Sequence, residues 1–279
     1  MHNTTLITDF DNTLYDWFQV WHQSFTAMLA EIERISGLGD DVLLPEIRTI
    51  HQRFGTSEYA FLVEKLPSLQ AAFPGQNLST VFDDAIHAYR KARKANLKLF
   101  HGVRETLIEL RSAGVLIILY TDSLAFYTID RIRRLGLDEL VDFVFSPPDH
   151  EIPDSVTSYT QREKYFLTHA RHHHIPEGVT KPNPDVLLDI VRDVGRSTGE
   201  CVYLGDSLMK DVAMAQDARV TDVYAEYGIV QHHEGYPLLR KVSHWTDEDV
   251  KREQEISKRT VVPTHTISQF SEMKRFFGG

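Results

Sequence analysis

Hydrophobic residues along the chain follow two patterns, short continuous runs and longer stretches with helical spacing. Runs rich in β-branched residues predict five strands, at residues 6–8, 115–120, 143–145, 202–204 and 220–224. The second and fourth runs are apolar throughout, which is typical of parallel strands covered on both faces. Helical patterns at 103–113 and 184–191 lie between the strands. This alternation predicts an α/β fold with a doubly wound, Rossmann-like parallel sheet.

The stretch that follows the first strand has a different pattern, in which apolar residues recur only at helical spacing. It predicts four amphipathic helices, at residues 17–36, 43–54, 58–66 and 79–95. An all-helical block inserted after the first strand predicts a cap domain at 16–96, which leaves 1–15 and 97–279 to the α/β catalytic core.

Two connections within the predicted core are long, residues 147–180 and 228–263, and each contains a further helical pattern, near 161–174 and 247–257. Connections of this length are usually functional or irregular. The sequence does not assign their role.

The composition narrows the range of partners. The chain has 279 residues, with 42% hydrophobic and 25% charged residues, as is ordinary for a globular protein. Its net charge of −10 repels nucleic acid and anionic membranes, so we expect neither as a partner. No stretch approaches the roughly 18 apolar residues of a membrane-spanning helix, and the N-terminal residues lack the basic region of a signal peptide. We therefore expect a cytoplasmic location.

Two acidic residues, Asp9 and Asp11, stand where the first apolar run ends. In open α/β sheets, ligands bind outside the carboxyl ends of the strands. Carboxylates at that edge are costly unless a cation or hydrogen-bond donors compensate them. Side chains two residues apart on an extended strand end point the same way, so these two can share a metal ion or divide nucleophilic and acid/base roles.

Polar residues stand at three further element ends, namely Thr121 after strand 115–120, Lys181 before helix 184–191, and Asp206 after strand 202–204, with Asp211 five residues on. Taken singly, each has a structural explanation: Asp206 suits a helix N-cap, and Lys181 suits a solvated loop. The ordered set of four element ends indicates a functional site.

This ordered set resembles the four motifs of the haloacid dehalogenase superfamily of phosphotransferases. The matching residues are Asp9-Phe10-Asp11-Asn12-Thr13, Thr121, Lys181-Pro182-Asn183-Pro184, and Gly205-Asp206-Ser207 with Asp211. The resemblance covers residues 1–15 and about 97–227. The helical insertion fits the type of cap that follows the first motif in phosphoglycolate phosphatase-like members of the phosphatase branch.

The resemblance implies Mg²⁺ as the cofactor. In the family pattern its ligands are the Asp9 carboxylate, the Asp11 backbone carbonyl and Asp206, with Asp211 nearby or bridged through water. The alternative for Asp211 is an exposed acid in the first turn of a helix, where it suits the helix dipole.

The resemblance also implies the catalytic roles. Asp9 attacks the phosphoryl group, and Lys181 neutralises Asp9 and the transferring oxygens. The Thr121 hydroxyl and the neighbouring backbone, at Asp122, hold the remaining phosphoryl oxygens. Asp11 protonates the leaving alcohol and then deprotonates the water that attacks the aspartyl-phosphate.

The predicted function is therefore Mg²⁺-dependent hydrolysis of a small phosphorylated metabolite by a monomer or homodimer. Asp11 favours ester hydrolysis, because the dehalogenase branch lacks this acid and the ion-pumping ATPases carry Thr there. A phosphomutase or other phosphotransferase stays open, although the commonest mutase pattern has Gly in place of Asn12. A catalytically silent binding or regulatory module is the alternative from a different class.

Two other features suggest structural roles. Four histidines, His169 and His172 to His174, are predicted to be a solvated helix end and not a metal site, because consecutive side chains diverge around a helix. Cys201 opens an apolar run and is predicted to be a buried strand thiol.

Overall fold

The computed structural model describes residues 3–149, 166–246, 251 and 260–278. The chain divides into two compact units. An α/β unit comprises Met1–Asp16, Lys98–Ile229 and Glu253–Gly279, and a helical unit comprises Trp17–Leu97 and Val230–Arg252. Within the described residues, no helix is both long and apolar enough to cross a membrane.

The α/β unit is built on a sheet of seven strands, which pair in parallel throughout. The strands are β1 (Thr5–Thr8), β2 (Leu116–Tyr120), β3 (Phe143–Ser146), β4 (Arg171–His174), β5 (Cys201–Gly205), β6 (Thr221–Ala225) and β7 (His265–Ile267). Their spatial order is β4-β3-β2-β1-β5-β6-β7. The five predicted strands and the doubly wound parallel fold are confirmed.

Helices of the α/β unit bury their apolar residues, and two of them pack in one cluster with residues of the sheet. They are α7 (Val103–Ser112), α8 (Ala125–Arg134), α9 (Pro184–Asp193) and α10 (Ala213–Asp217). The start of α9 is fixed by Asn183, whose side chain accepts a hydrogen bond from the Val186 N–H at 3.1 Å. Leu187 and Ile190 of α9 are buried in the same cluster as Tyr203 of β5. Cys201, also in this cluster, is buried as predicted, and burial raises the pKa of its thiol to about 11.

The helical unit has its own hydrophobic core. Its helices are α1 (Trp17–Ser36), α2 (Asp40–Phe54), α3 (Leu62–Lys65), α4 (Pro67–Ala72), α5 (Leu78–Val81), α6 (Asp83–Asn96) and α11 (Tyr236–Val242). Aromatic residues spaced along α1 are buried in this core, with the rings of Trp21 and Phe25 stacked at 5.1 Å. The predicted helix at 58–66 shortens to α3, and the one at 79–95 divides at Phe82, which is fully buried.

The segment 230–252, which the sequence pattern assigned to the catalytic core, belongs to the helical unit and corrects the predicted boundary. Helix α11 buries Leu239 and Val242 among the residues of the helical core. His51 of α2, itself buried, donates from Nδ1 to the Val242 carbonyl at 2.6 Å. These contacts with residues distant in sequence place the segment in the helical unit, although along the chain it lies next to the last strands of the sheet.

The helical pattern near 161–174 gives a wrong prediction at its C-terminal part, because Arg171–His174 is strand β4. The histidines there are therefore not a helix end. His173 stacks on Phe145 of β3 at 5.0 Å, and Ser146 lies 2.8 Å from Nε2 of His172. The first part of that helical pattern, residues 161–165, and the predicted helix near 247–257 lie outside the described residues apart from residue 251.

The buried His51 makes the stability of the helical unit depend on pH. Burial lowers the pKa of His51 to about 4, because the charged imidazolium is desolvated there. The unfolded chain takes up this proton below its ordinary pKa of 6.5, so stability is full above that pH and falls as the pH drops towards 4. We expect up to about 3 kcal/mol to be lost over this window.

Urea unfolding at pH 7 and pH 5 of the wild type and the His51→Asn variant measures this loss. The variant should be less sensitive to pH than the wild type, whereas His101→Asn, at an exposed histidine, should behave as the wild type. Equal pH sensitivity in the wild type and His51→Asn would contradict the assignment.

Candidate active site

Three strands end in polar residues at one edge of the sheet. Asp9 follows β1, Thr121 follows β2 and Asp206 follows β5. Because β1 lies between β2 and β5, the order of the strands reverses at this point. Such a switch point leaves a crevice at the carboxyl ends of the strands, where α/β proteins bind ligands. The topology thus brings the residues of three sequence motifs to one crevice.

Lys181 lies at the centre of this group. Its Nζ donates to Oδ1 of Asp9 at 2.5 Å and to Oδ1 of Asp211 at 2.8 Å. The lysine side chain is 4% exposed, so its charge depends on these partners. The prediction that Lys181 contacts Asp9 agrees with this geometry, and a solvated loop lysine does not.

Three carboxylates gather around one ammonium group. Oxygen atoms of Asp9, Asp206 and Asp211 all lie within 4.8 Å of one another. Together with Lys181 they leave two negative charges when all four groups are ionised, and one divalent cation balances that charge. Oxygen ligands of this kind suit Mg²⁺, which is bound through a few carboxylates and keeps several waters. The residues present therefore fit a magnesium ion.

The same crowding shifts the acidities of the group. Burial raises the pKa of Asp9 to about 7, against the opposing effect of Lys181. Desolvation by the surrounding protein, reinforced by Asp9 and Asp211, raises the pKa of Asp206 well above its ordinary value. Although burial disfavours its charged form, Asp211 and Asp9 raise the pKa of Lys181 well above its usual range. Without a metal ion, the group retains protons near neutral pH.

Asp211 is not the exposed first-turn acid that the sequence left open. It is 1% exposed, and its Oδ1 also accepts from the Tyr203 hydroxyl at 2.9 Å. Its Oδ2 accepts from the Ser207 backbone N–H at 3.1 Å. The absence of a side chain at Gly205 makes room for it, because a Cβ there would lie 2.3 Å from Cγ of Asp211.

Thr13 connects the two aspartates that flank the crevice. Its buried hydroxyl lies 3.4 Å from Oδ2 of Asp9 and 3.5 Å from Oδ1 of Asp206. The loop that carries Thr13 turns at Asn12, whose φ is 56°, and the Tyr227 hydroxyl donates to the Thr13 carbonyl at 2.8 Å. Thr13 is part of the first motif, but its position between the acids follows only from the turn.

Thr121 and Asp122 organise the loop after β2. The Thr121 backbone N–H continues the sheet by donating to the Phe145 carbonyl, and its hydroxyl accepts from the Ser123 N–H at 3.0 Å. Oδ1 of Asp122 accepts from the Lys181 backbone N–H at 3.0 Å. The Asp122 side chain thus fixes the backbone at Lys181. The phosphate contact predicted for Asp122 remains a prediction.

Asp11 has separate surroundings. Oδ1 of Asp11 accepts from the hydroxyl of Tyr15 and from Nη1 of Arg131 at 3.3 Å. Within the part of the chain that the structure describes, its carboxylate is not a member of the Asp9 group. The structure therefore divides the two acids of the first motif between two environments.

Four residues of this site were given no individual role from the sequence: Thr13, Tyr15, Arg131 and Tyr203. A signal existed only for the first, which occupies the last position of the first motif. The others lie inside a loop, a helix and a strand that have ordinary apolar or charged patterns. Tyr15 and Tyr203 contact acids four and eight positions away, and Arg131 contacts Asp11 across 120 residues, so their contribution depends on how the chain folds around the acids.

The profile of the haloacid dehalogenase-like hydrolase family matches residues 4–219, which is well over half of the chain. The chain belongs to this family. The match spans every motif residue from Asp9 to Asp211 and confirms the resemblance drawn from the sequence.

Individual relatives agree with the family assignment. The chain is 26% identical over 235 residues to a glyceraldehyde 3-phosphate phosphatase of Methanopyrus kandleri, a match that covers 82% of this chain and 86% of the relative. It shares its fold with a 2-haloacid dehalogenase of Pseudomonas syringae pv. Tomato (TM-score 0.56, 16% identity, 98% and 97% of the two chains). A predicted phosphoglycolate phosphatase of Haemophilus somnus has the same fold (TM-score 0.53, 13% identity, 100% and 99%).

A methyl group at position 205 should disrupt the Lys181 group. In Gly205→Ala the new Cβ overlaps Asp211, so either the acid or the strand end must move. We expect the free energy of unfolding to fall by about 1–3 kcal/mol, as for overpacked cores. Urea unfolding measures this loss. Gly278→Ala, whose added Cβ meets only ordinary contacts, is the matched control, and equal stabilities of the two variants would contradict the packing described here.

Proposed function

We propose that the protein is a Mg²⁺-dependent phosphatase that hydrolyses a small phosphomonoester through an aspartyl-phosphate on Asp9. Its class, a hydrolase of phosphoric monoesters, is confirmed by the family match and by relatives named as phosphatases. The metal ion, the covalent intermediate and the substrate are the steps that we propose beyond that class.

The observation that carries the proposal is the pairing of the Asp9 carboxylate with Lys181 inside a group of acids. A carboxylate repels a phosphate dianion, so it can attack only where the local field is reversed. Lys181 supplies one buried positive charge at 2.5 Å from Oδ1 of Asp9. A divalent cation held by Asp9, Asp206 and Asp211, and by the Asp11 backbone carbonyl as the family pattern implies, supplies the rest of the charge that stabilises the transferring phosphoryl group.

In this proposal each of the side chains of the four motifs has a separate catalytic role. The Asp9 carboxylate attacks phosphorus and Lys181 neutralises the equatorial oxygens. The Thr121 hydroxyl and the backbone at Asp122 orient those oxygens. Asp11 gives a proton to the leaving oxygen and later takes one from the attacking water. This supports hydrolysis over a silent module, because each side chain that the chemistry needs is present.

The name of the Methanopyrus relative suggests a first substrate to test. That protein is described as acting on glyceraldehyde 3-phosphate, a three-carbon phosphomonoester. We propose a small phosphorylated metabolite of this kind for the present chain, hydrolysed by a monomer or homodimer in the cytoplasm. A phosphomutase is distinguished by transfer of the phosphoryl group to a second hydroxyl of the substrate in place of release as phosphate.

Replacing the nucleophile tests the covalent step. Asp9→Asn should lower phosphate release by more than about a thousandfold, because an amide does not attack phosphorus. The variant should fold, because the substitution removes one of three negative charges that repel one another. The measurement is phosphate release from glyceraldehyde 3-phosphate and a phosphomonoester panel with Mg²⁺. Asp193→Asn, at an exposed site on α9, serves as the control. Full activity in Asp9→Asn would refute the aspartyl-phosphate.

Metal binding should compete with protons. Because burial raises the pKa of Asp9 to about 7, a cation must displace a proton below that pH. We expect the Mg²⁺ affinity to weaken by about tenfold for each pH unit below 7 and for each proton displaced, and Asp206, whose pKa is also raised, adds to this fall. Calorimetric titration of chelator-treated protein between pH 5 and pH 8 measures the change. An affinity that stays constant across this range would argue against Asp9 as a ligand.

A further inference from the structure

A buried arginine lies beside Asp11. Arg131 of α8 has a side chain that is 5% exposed, and its Nη1 lies 3.3 Å from Oδ1 of Asp11. The guanidinium carbon is 5.8 Å from the ring centre of Tyr15 and 5.9 Å from that of Tyr127. A charge this deep in the protein requires partners, and the carboxylate of Asp11 is one of them.

The same oxygen of Asp11 receives a second hydrogen bond. The Tyr15 hydroxyl donates to Oδ1 of Asp11 as well, from a residue four positions along the loop. A carboxylate oxygen can accept from two donors, and two donors reach Oδ1 of Asp11 here. Together they restrict rotation of the carboxyl group, so they fix the direction in which Asp11 presents its proton.

Arg131 connects this acid to the loop after β2. Nη1 of Arg131 also donates to the Ser123 hydroxyl at 2.9 Å, and the Ser123 N–H donates to the Thr121 hydroxyl. The Ser123 carbonyl is held in turn by the hydroxyl of Thr128, one turn before the arginine on α8. One guanidinium thus fixes the loop after β1 relative to the loop after β2.

We propose that Arg131 is a positioning residue that, together with Tyr15, orients the carboxyl group of Asp11 for proton transfer during phosphate ester hydrolysis. This inference rests on the proposed acid/base role of Asp11. In the first step a carboxylate oxygen of Asp9 bonds to phosphorus, the ester P–O bond breaks, and the proton of the Asp11 carboxyl group passes to the leaving oxygen. In the second step the Asp11 carboxylate takes a proton from water, whose oxygen bonds to phosphorus as the bond to Asp9 breaks and phosphate departs.

This role predicts an effect that depends on the leaving group. An alkoxide leaving group needs the proton of Asp11, whereas 4-nitrophenolate leaves without it. For an Arg131→Gln variant, we expect kcat/KM for an alkyl phosphate to fall by about 100-fold and kcat/KM for 4-nitrophenyl phosphate to fall by less than about threefold. A purely structural arginine would lower both values by the same factor.

The second step predicts a kinetic signature with 4-nitrophenyl phosphate. Formation of the aspartyl-phosphate stays fast in Arg131→Gln, but its hydrolysis slows because water activation needs the same carboxylate. We expect kcat and KM to fall together and a burst of 4-nitrophenol equal to the enzyme concentration. Rapid-quench measurement of the burst, beside steady-state assays, provides a readout that loss of packing does not produce.

Matched variants make the test decisive. Arg134→Gln removes an exposed cation from the same helix, where it pairs with Asp130, and should behave as the wild type with both substrates. Arg131→Lys keeps the charge without the planar fork and should retain part of the alkyl phosphate activity. If Arg131→Gln does not fold, as judged by circular dichroism, Tyr15→Phe removes the other Oδ1 donor and should show the same leaving-group preference at smaller magnitude.

The outcomes separate this inference from the proposed function. If Asp11→Asn shows the leaving-group dependence and the burst but Arg131→Gln and Tyr15→Phe do not, the positioning role is wrong and the acid/base role stands. If Asp11→Asn loses activity equally with both substrates, the acid/base role itself fails. A wild type without phosphatase activity on either substrate would overturn the proposed function before either question arises.

Discussion

The site depends on one buried ammonium group. Lys181 lies between Asp9 and Asp211, and its Nζ is also 5.4 Å and 6.0 Å from the ring centres of Tyr120 and Tyr203. A lysine charge is stable in such a place only when carboxylates surround it, and the carboxylates are stable only when the lysine is there. The strand order places the acids at the switch point, so the fold supplies this constraint before any substrate arrives.

Much of the fold follows from sequence, and the exceptions have physical causes. The central strands are continuous apolar runs because both faces of the sheet are covered. A run of this kind can be recognised as a buried strand from the sequence alone. Strand β4 is polar because it lies at the edge of the sheet, where only one neighbour constrains it. The segment after residue 230 joins the helical unit because Leu239 and Val242 are buried in the core of that unit. The local sequence pattern predicts a helix there but does not indicate which of the two hydrophobic cores the helix joins.

The site shows the same division between local and tertiary information. Motif residues such as Asp9 and Lys181 are identified by position, since each stands at the end of an element where polar residues are costly. Tyr203 and Arg131 occupy positions where an aromatic strand residue and a helical arginine are ordinary. Their part in the site arises from partners 8 and 120 residues away, which spacing alone does not predict.

The two acids of the first motif differ in how their charge is balanced. Asp9 shares one lysine with two other carboxylates, an excess of negative charge that favours a divalent cation. Asp11 has the guanidinium of Arg131 beside it, so its charge is balanced by the protein itself. In the proposed mechanism Asp11 exchanges a proton in each step, and this requires surroundings that change little when charge shifts at the neighbouring phosphoryl group. Separate counter-charges would then let one strand end carry both the proposed nucleophile and the proposed proton carrier, only two residues apart.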